Sequence, residues 1–499
     1  MNYNLLDYAF IPVIWSDGRA DRVGIKTALA EAGSIRQIAA SNPMDNVALL
    51  RFLLAVLYWC KGLPPNQSEL EKILAAGQFP PDWFTKLDQH RDCFNLLGDG
   101  ERFYQNQAYK NQSPEHTINY LIHEVPSGTN KSHFQHTVDF LNGLCPACCA
   151  MGLIRLPVFA TSGGKGMSSS TGKSPGINSK PPLYVVPMGT TLAANLALSW
   201  SPTSLDLGTP EWETPGANLP FVGEVPLLNG LTWLPRSVWL ADPEEQESVC
   251  VSCGRKERLI RRCVFDGKGS LKAASGIWRD PHVVYAKAKD GKQLSAHAGN
   301  ALGAPDAAAN QWARFLGGLL AEDAAPLGMC HAASTTSAIT VSVLGFSSVQ
   351  NDKYLEAWEN RLTIHVSALA DKGPNQPASY LELWTKEAMK CLAKAKPPEA
   401  KSSSRKHVEL LPALAAIRPH IESRVSANIS DLLSHPEQAW PKAAGEYGPM
   451  MSAAAKSLSP GFTTRALQRR NQIANVRPDM TPRPAPKPRK PKAKKGGDK

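Results

Sequence analysis

Two cysteine pairs far apart in the chain, Cys145-Pro-Ala-Cys148 and Cys250-Val-Ser-Cys253, constrain its folding more than any other feature. Each pair can set two thiolates on one metal ion, and two pairs supply the four sulfur ligands that structural zinc takes. The 101 residues from 149 to 249 would then form one closed loop. Such a loop ties the middle of the chain together and makes the segment after each pair a fixed platform. It is far longer than the loop of a zinc ribbon, so ligand type and number carry this reading rather than spacing. Two unrelated thiol pairs, or a redox doublet, are the alternatives.

The wider sequence fits a reduced, soluble setting. Ten cysteines among 499 residues are too few for a disulfide scaffold and read more naturally as metal ligands in a reducing cytosol. The start, Met1-Asn2-Tyr3-Asn4, lacks the basic-then-apolar layout of a secretory signal. The most apolar run, Val47 to Cys60, is interrupted by Arg51. It is short for a bilayer span and reads as a buried helix. A cytoplasmic protein without membrane contact is expected. The net charge of +11 is unevenly placed. Residues 476–499 hold nine Lys/Arg and two Asp, or +7, leaving +4 for the rest. This Pro/Lys-rich tail is expected to be disordered, and serves either as a solubilising tail or as a salt-sensitive tether to nucleic-acid phosphate.

The order of patterns predicts an α+β chain. Short extended segments open it through Ile11-Pro12-Val13-Ile14-Trp15, and Ser16-Asp17-Gly18 turns it back. Helix is expected to begin at Thr27–Glu31, and Asn46 to Trp59 forms a strong apolar helix. Short pieces punctuated by proline and glycine follow to about residue 345, with strands at runs such as Val238-Trp239-Leu240. Beyond Ser347 the spacing of Leu355, Trp358, Leu362, Val366 and Leu369 predicts a helix capped by Asn351-Asp352. Further helical runs lead to a C-terminal four-helix bundle, whose last helix exposes Arg465, Arg469 and Arg470. The expected organisation is a large mixed body over 1–372 with the zinc site, the bundle over 373–475, and the tail over 476–499.

Enzyme motifs are missing. In the run Gly163 to Ser174 a phosphate loop would need glycine five residues before Gly172-Lys173-Ser174, where Met167 stands. What is left is a glycine-rich loop with a lysine, able to bring backbone close to a phosphodiester. His133-Phe-Gln-His136 is a generic histidine pair. A metal-dependent nuclease using His133 and His136 is the rival functional reading.

Along most of its length the chain resembles the CasA-type large subunits of type I-E CRISPR Cascade complexes. The resemblance runs through Asn4-Leu5-Leu6-Asp7 with Ile11-Pro12-Val13, then Ser127-Gly128-Thr129-Asn130 with Phe134-Gln135-His136. It continues through both cysteine pairs, and through Trp233-Leu234-Pro235 with Asp242-Pro243. It implies structural zinc at Cys145, Cys148, Cys250 and Cys253, and no catalysis. It also implies recognition of the protospacer-adjacent motif in double-stranded DNA, the start of strand separation there, and recruitment of a helicase–nuclease. Partners would be crRNA and the other Cascade subunits: the small subunit, the backbone subunits and the crRNA 5′-end subunit.

Three elements of motif reading have matches here: the glycine-rich loop Gly163-Gly164-Lys165-Gly166, the lysine Lys268, and the wedge glutamine Gln350. Ser162 and Lys165 depart from the family pattern, so motif preference is expected to differ. The residues agree with these matches independently. Asp266-Gly267 is a tight-turn signal that would put Lys268 on a hairpin tip. A cation there can enter a minor groove and meet adenine N3 and thymine O2, which it cannot tell apart well. Gln350, just before the expected helix cap, could push between base pairs at a few kcal/mol per unstacked step. Asn130, Lys131 and Phe134 lie in a segment that the resemblance assigns to contact with crRNA or neighbouring subunits. An amide, a cation and a stacking ring suit that task.

Overall fold

The computed structural model describes residues 3–64, 66–114, 116–122, 143–158, 184–201, 203, 206–215, 225–267, 280–283, 285–287, 294–296, 338–348, 355–365, 464 and 467. The chain divides into two compact units, Met1–Val366 and Ser367–Lys499. The bundle expected over 373–475 and the basic tail lie outside the described residues, apart from Thr464 and Leu467, which are helical.

The first unit is a mixed α/β body. The opening run forms β1 (Ile11–Trp15), and the Ser16-Asp17-Gly18 turn returns the chain as β2 (Ala20–Val23), antiparallel to it. After α1 (Ile25–Ala30), β3 (Ile35–Ile38) pairs with the other edge of β1. The long α2 (Pro43–Lys61) starts where the Asn42 side chain accepts a hydrogen bond from the Met44 N–H and Pro43 takes the first helical position. Its side chains are buried almost all round, from Met44 to Trp59, which is the pattern of a helix at the centre of a core rather than on a surface. α2 is long and apolar enough to cross a membrane by length and composition, yet 83% of its apolar window is buried inside the protein. Phe52 and Trp59 anchor an aromatic cluster with Phe94, Phe103, Tyr104 and Trp212. Its edge-on and offset ring contacts are the favoured arrangements.

Smaller helices and sheets surround this core. α3 (Gln67–Ala76) and α4 (Thr85–Gln89) precede the short β4 (His116–Thr117). α5 (Pro146–Arg155), β5 (Tyr184–Met188), α6 (Leu192–Ser199) and α7 (Leu227–Thr232) follow. α2 packs against α5, α6 and α7. Next come β6 (Arg236–Leu240), the hairpin of β7 (Glu247–Val249) with β8 (Lys256–Arg258), and β9 (Arg262–Gly267). β9 is the middle strand of the sheet β4-β9-β6. β10 (Tyr285–Lys287) and β11 (Leu294–Ala296) pair with each other. The last sheet has the order β13-β12-β5, with β12 at Ala338–Ser348 and β13 at Leu355–His365.

Two sequence expectations fail here. Leu355 to His365 is a strand, not the start of a helix: all eleven of its residues pair with β12, from Ser348↔Leu355 to Ala338↔His365. Trp358 and Leu362 are four apart, a spacing shared by one face of a helix and one face of a strand. Thr363 and Ile364 favour the strand through their β-branched side chains, and the continuous ladder decides. Asp266 and Gly267 likewise are not a turn. They end β9, opposite Ser237 and Arg236 of β6, and Asp266 accepts hydrogen bonds from the Tyr109 hydroxyl and the Gly267 N–H.

Candidate metal centre

The first cysteine pair sits at the start of α5. Cys145 is its cap residue and Pro146 takes the first helical position, where a missing N–H removes no helical bond. Cys148, three residues on, falls on the same face. The second pair sits in the turn between β7 and β8. There the Cys250 N–H donates to the Arg255 carbonyl at 2.8 Å, and the Gly254 N–H donates to the Cys250 carbonyl at 2.9 Å. Gly254 holds a φ of +72°, a left-handed conformation that glycine adopts without a Cβ clash.

Backbone pairing joins the two halves. Leu144 and Ile260 exchange N–H···O bonds of 2.9 and 2.8 Å, and the Val251 N–H donates to the Gly143 carbonyl. The approach is close enough that a Cβ on Gly143 would lie 2.7 Å from the Ile260 carbonyl oxygen. Across this junction the four cysteine sulfurs come within 4.8 Å of one another. Cys145 Sγ and Cys253 Sγ are 3.6 Å apart, and Cys148 Sγ and Cys250 Sγ 3.8 Å. The Cys145 N–H donates to Cys250 Sγ at 3.3 Å. The four could hold one metal ion.

The electrostatics favour partial ionisation of the group. Hydrogen bonds from Cys145 and then Cys148 pull the Cys250 thiol down to about 6, and those from the same two residues lower Cys253 as well. Hydrogen bonding to Cys148 and Cys250 pushes the Cys145 thiol up. Four crowded sulfurs thus share their protons unequally, and a cation would displace the remaining ones. The start of α5 adds the positive end of a helix dipole beside them. At its other end α5 is held by Arg155, whose Nε and Nη2 each donate to an Asp45 carboxylate oxygen at 2.6 Å. This buried pair ties α5 to the start of α2.

The other candidate residues lie outside the described residues: Asn130, Lys131, His133, Phe134, His136, Gly163, Gly164, Lys165, Gly166, Lys268 and Gln350. Their places in the chain are fixed by their neighbours. Asn130 to His136 precede the first cysteine pair. The glycine-rich run lies between α5 and β5, Lys268 directly follows β9, and Gln350 lies between the paired strands β12 and β13. The pair Asp45–Arg155 and a buried cluster of Arg51, Asp280 and His282 escaped the sequence reading. Arg51, interrupting an apolar run, was the one visible signal.

Fold and site together define a mixed α/β scaffold with a four-cysteine centre joining its two middle segments. Comparison with known proteins then places it. The sequence pattern of the CRISPR-associated protein Cse1 family matches residues 4–439, and the chain belongs to that family, the CasA type of subunit. Over 252 residues it is 29% identical to the CRISPR-associated protein CasA/Cse1 of Thermus thermophilus, a stretch amounting to 48% of this chain and about half (49%) of that relative. The fold matches the crystal structure of Thermus thermophilus CasA with a TM-score of 0.69 at 20% identity, over 95% of this chain and 98% of that one. It also matches a chain of a CRISPR RNA-guided surveillance complex, with a TM-score of 0.64 at 15% identity, over 95% and 99%.

Proposed function

We propose that this chain is the large, non-enzymatic subunit of a cytoplasmic, crRNA-guided type I-E Cascade complex. In this reading it recognises the protospacer-adjacent motif in duplex DNA, starts strand separation there and helps recruit the helicase–nuclease. The observation that carries the reading is the family match over residues 4–439, supported by the likeness of fold to a chain of an RNA-guided surveillance complex.

The metal is zinc. Tetrahedral ligation at about 2.3 Å per bond sets sulfurs about 3.8 Å apart, close to the 3.6 and 3.8 Å of the two sulfur pairs. Cys145, Cys148, Cys250 and Cys253 would hold it with no position left open, so it supplies structure rather than chemistry. The centre braces the start of α5 and the β7–β8 turn. The glycine-rich run Gly163–Gly166 issues downstream of the first, and β9, leading to Lys268, downstream of the second.

Lys268 meets base-edge acceptors in the minor groove, the glycine-rich run approaches the phosphodiester backbone, and Gln350 enters the opened step. Asn130, Lys131 and Phe134 contact crRNA or neighbouring subunits. Sequence beyond the motif is then read by pairing with the guide.

Binding of the assembled complex to target DNA tests this. Lys268→Ala should weaken capture of a motif-bearing duplex roughly tenfold, the size of a lost charge-assisted hydrogen bond. Binding of the same target with its motif-proximal pairs already open should change less. Equal loss on both substrates contradicts a motif-reading role. Gln350→Ala should slow strand opening, followed by fluorescence of a base analogue beside the motif.

A further inference from the structure

The run Asn4 to Tyr8 crosses the body as a strap. The Asn4 side-chain amide donates to the Arg91 carbonyl and to Asn95 Oδ1, both at 2.8 Å. The Leu5 N–H donates to the Phe94 carbonyl at 2.9 Å. The Leu5 and Leu6 carbonyls accept from the Ile25 and Lys26 N–H groups at the start of α1, and both leucine side chains are buried. The strap is thus fixed to the body along its length, and its end reaches the cysteine hairpin. The Tyr8 hydroxyl donates to Glu257 Oε2 of β8 at 2.9 Å, across 249 positions of sequence. The other oxygen of that carboxylate lies 4.0 Å from Arg255 Nη1. The Arg255 carbonyl in turn closes the cysteine turn by accepting from the Cys250 N–H. Phe10 and Pro12, just beyond Tyr8, line a cavity together with Cys148 and Cys253.

The hairpin needs such a hold. β7 and β8 form a sheet of only two strands among the described residues, and a lone two-stranded hairpin is marginal in water. Its backbone contacts through Ile260 and Val251 reach Leu144 and Gly143, which lead directly into the first cysteine pair. The bond to Tyr8 instead reaches a part of the body that carries no cysteine of the centre. A second anchor of this kind fixes the turn before an ion arrives, when crowded sulfurs gain nothing from meeting. A site that is competent for only a fraction of the time binds its ligand more weakly by that fraction. We propose that Tyr8 and Glu257 are positioning residues for the metal centre: their hydrogen bond holds Cys250 and Cys253 against Cys145 and Cys148 and so raises the affinity for the ion. The proposal rests on the reading of the four cysteines as one zinc site. By reciprocity, a bound ion tightens the strap as much as the strap tightens the ion.

The test is competition for zinc between the purified full-length protein and a chromophoric chelator. Tyr8→Phe keeps the ring and removes only the hydroxyl. It should weaken zinc binding about fivefold, within the worth of one hydrogen bond. Glu257→Ala should do the same, and the double change should add nothing, because both remove one interaction. Glu257→Gln keeps an oxygen acceptor for the hydroxyl and should retain most of the affinity. In zinc-free protein, Tyr8→Phe should quicken amide hydrogen exchange over β7, β8 and the turn between them, and leave α2 unchanged. Saturating zinc should narrow that difference. A purely structural bond would lower the urea midpoint without touching zinc affinity. Equal zinc affinity in wild type and Tyr8→Phe, or losses that add in the double change, overturn the proposal. If Cys145→Ser leaves zinc binding intact, the four-thiolate reading fails and the role of Tyr8 falls with it. If Cys145→Ser abolishes binding while Tyr8→Phe leaves it unaltered, the positioning role alone fails.

Discussion

At the scale of single residues, His282 is the group whose charge state the fold controls most clearly. Burial, reinforced by the Arg51 charge, lowers it to about 3, against the opposing pull of Asp280. An unfolded histidine titrates near about 6.5. Between these values the unfolded chain binds a proton that the folded one does not, so stability falls as pH drops below about 6.5. The slope approaches about 1.4 kcal/mol per pH unit, or about 2 kcal/mol between pH 7 and 5 from this group. His282→Asn keeps an acceptor for Arg51 and removes the titration. Urea unfolding at both pH values should show a shallower loss in the variant. An identical loss would mean that His282 carries no such shift.

At the scale of elements, packing against neighbours decided what local pattern left open. β1 and the return of the chain after it were legible because an apolar extended run meets the turn signal Ser16-Asp17-Gly18, and α2 because its apolar run is long. The strand β6 was legible in Val238-Trp239-Leu240. β13 was not: the four-residue spacing of Trp358 and Leu362 suits both structures, and the partner that selects the strand, β12, contributes nothing to a local reading. Asp266-Gly267 misled for a related reason. A turn signal states what the backbone can do, and the pairing with β6 overruled it. The buried ion pairs were invisible because they join residues 110 and 229 positions apart. The four cysteines were legible because metal ligation restricts residue type so narrowly. Close contact between α5 and the turn at Ile118–Leu121 supplies a test at this scale. A Cβ on Gly152 would lie 2.7 Å from Leu121 Cβ. Gly152→Val should therefore cost about 2–3 kcal/mol through overpacking, read as a lower urea midpoint with unchanged slope.

At the scale of the whole molecule, the four cysteines bring together residues 108 positions apart and could hold one metal ion. A metal held by these four cysteines in the folded state alone would stabilise that state by mass action, with no constraint on the unfolded chain. Stripping the ion with a strong chelator should lower the melting temperature by at least about 5 °C. Restoring zinc should reverse it. Cys145→Ser should lose one metal equivalent by elemental analysis and no longer respond to chelator. An unchanged metal content would refute a four-thiolate site.

The separation of the two cysteine pairs also has a consequence during synthesis. A ribosome adding about 5–20 residues per second delivers Cys250 on the order of ten seconds after Cys148. Through that interval the nascent chain carries a bare dithiol, open to a stray cation or an oxidant. Birth of the mature fold must therefore wait on the later hairpin, and the early pair has to be kept reduced until its counterpart arrives.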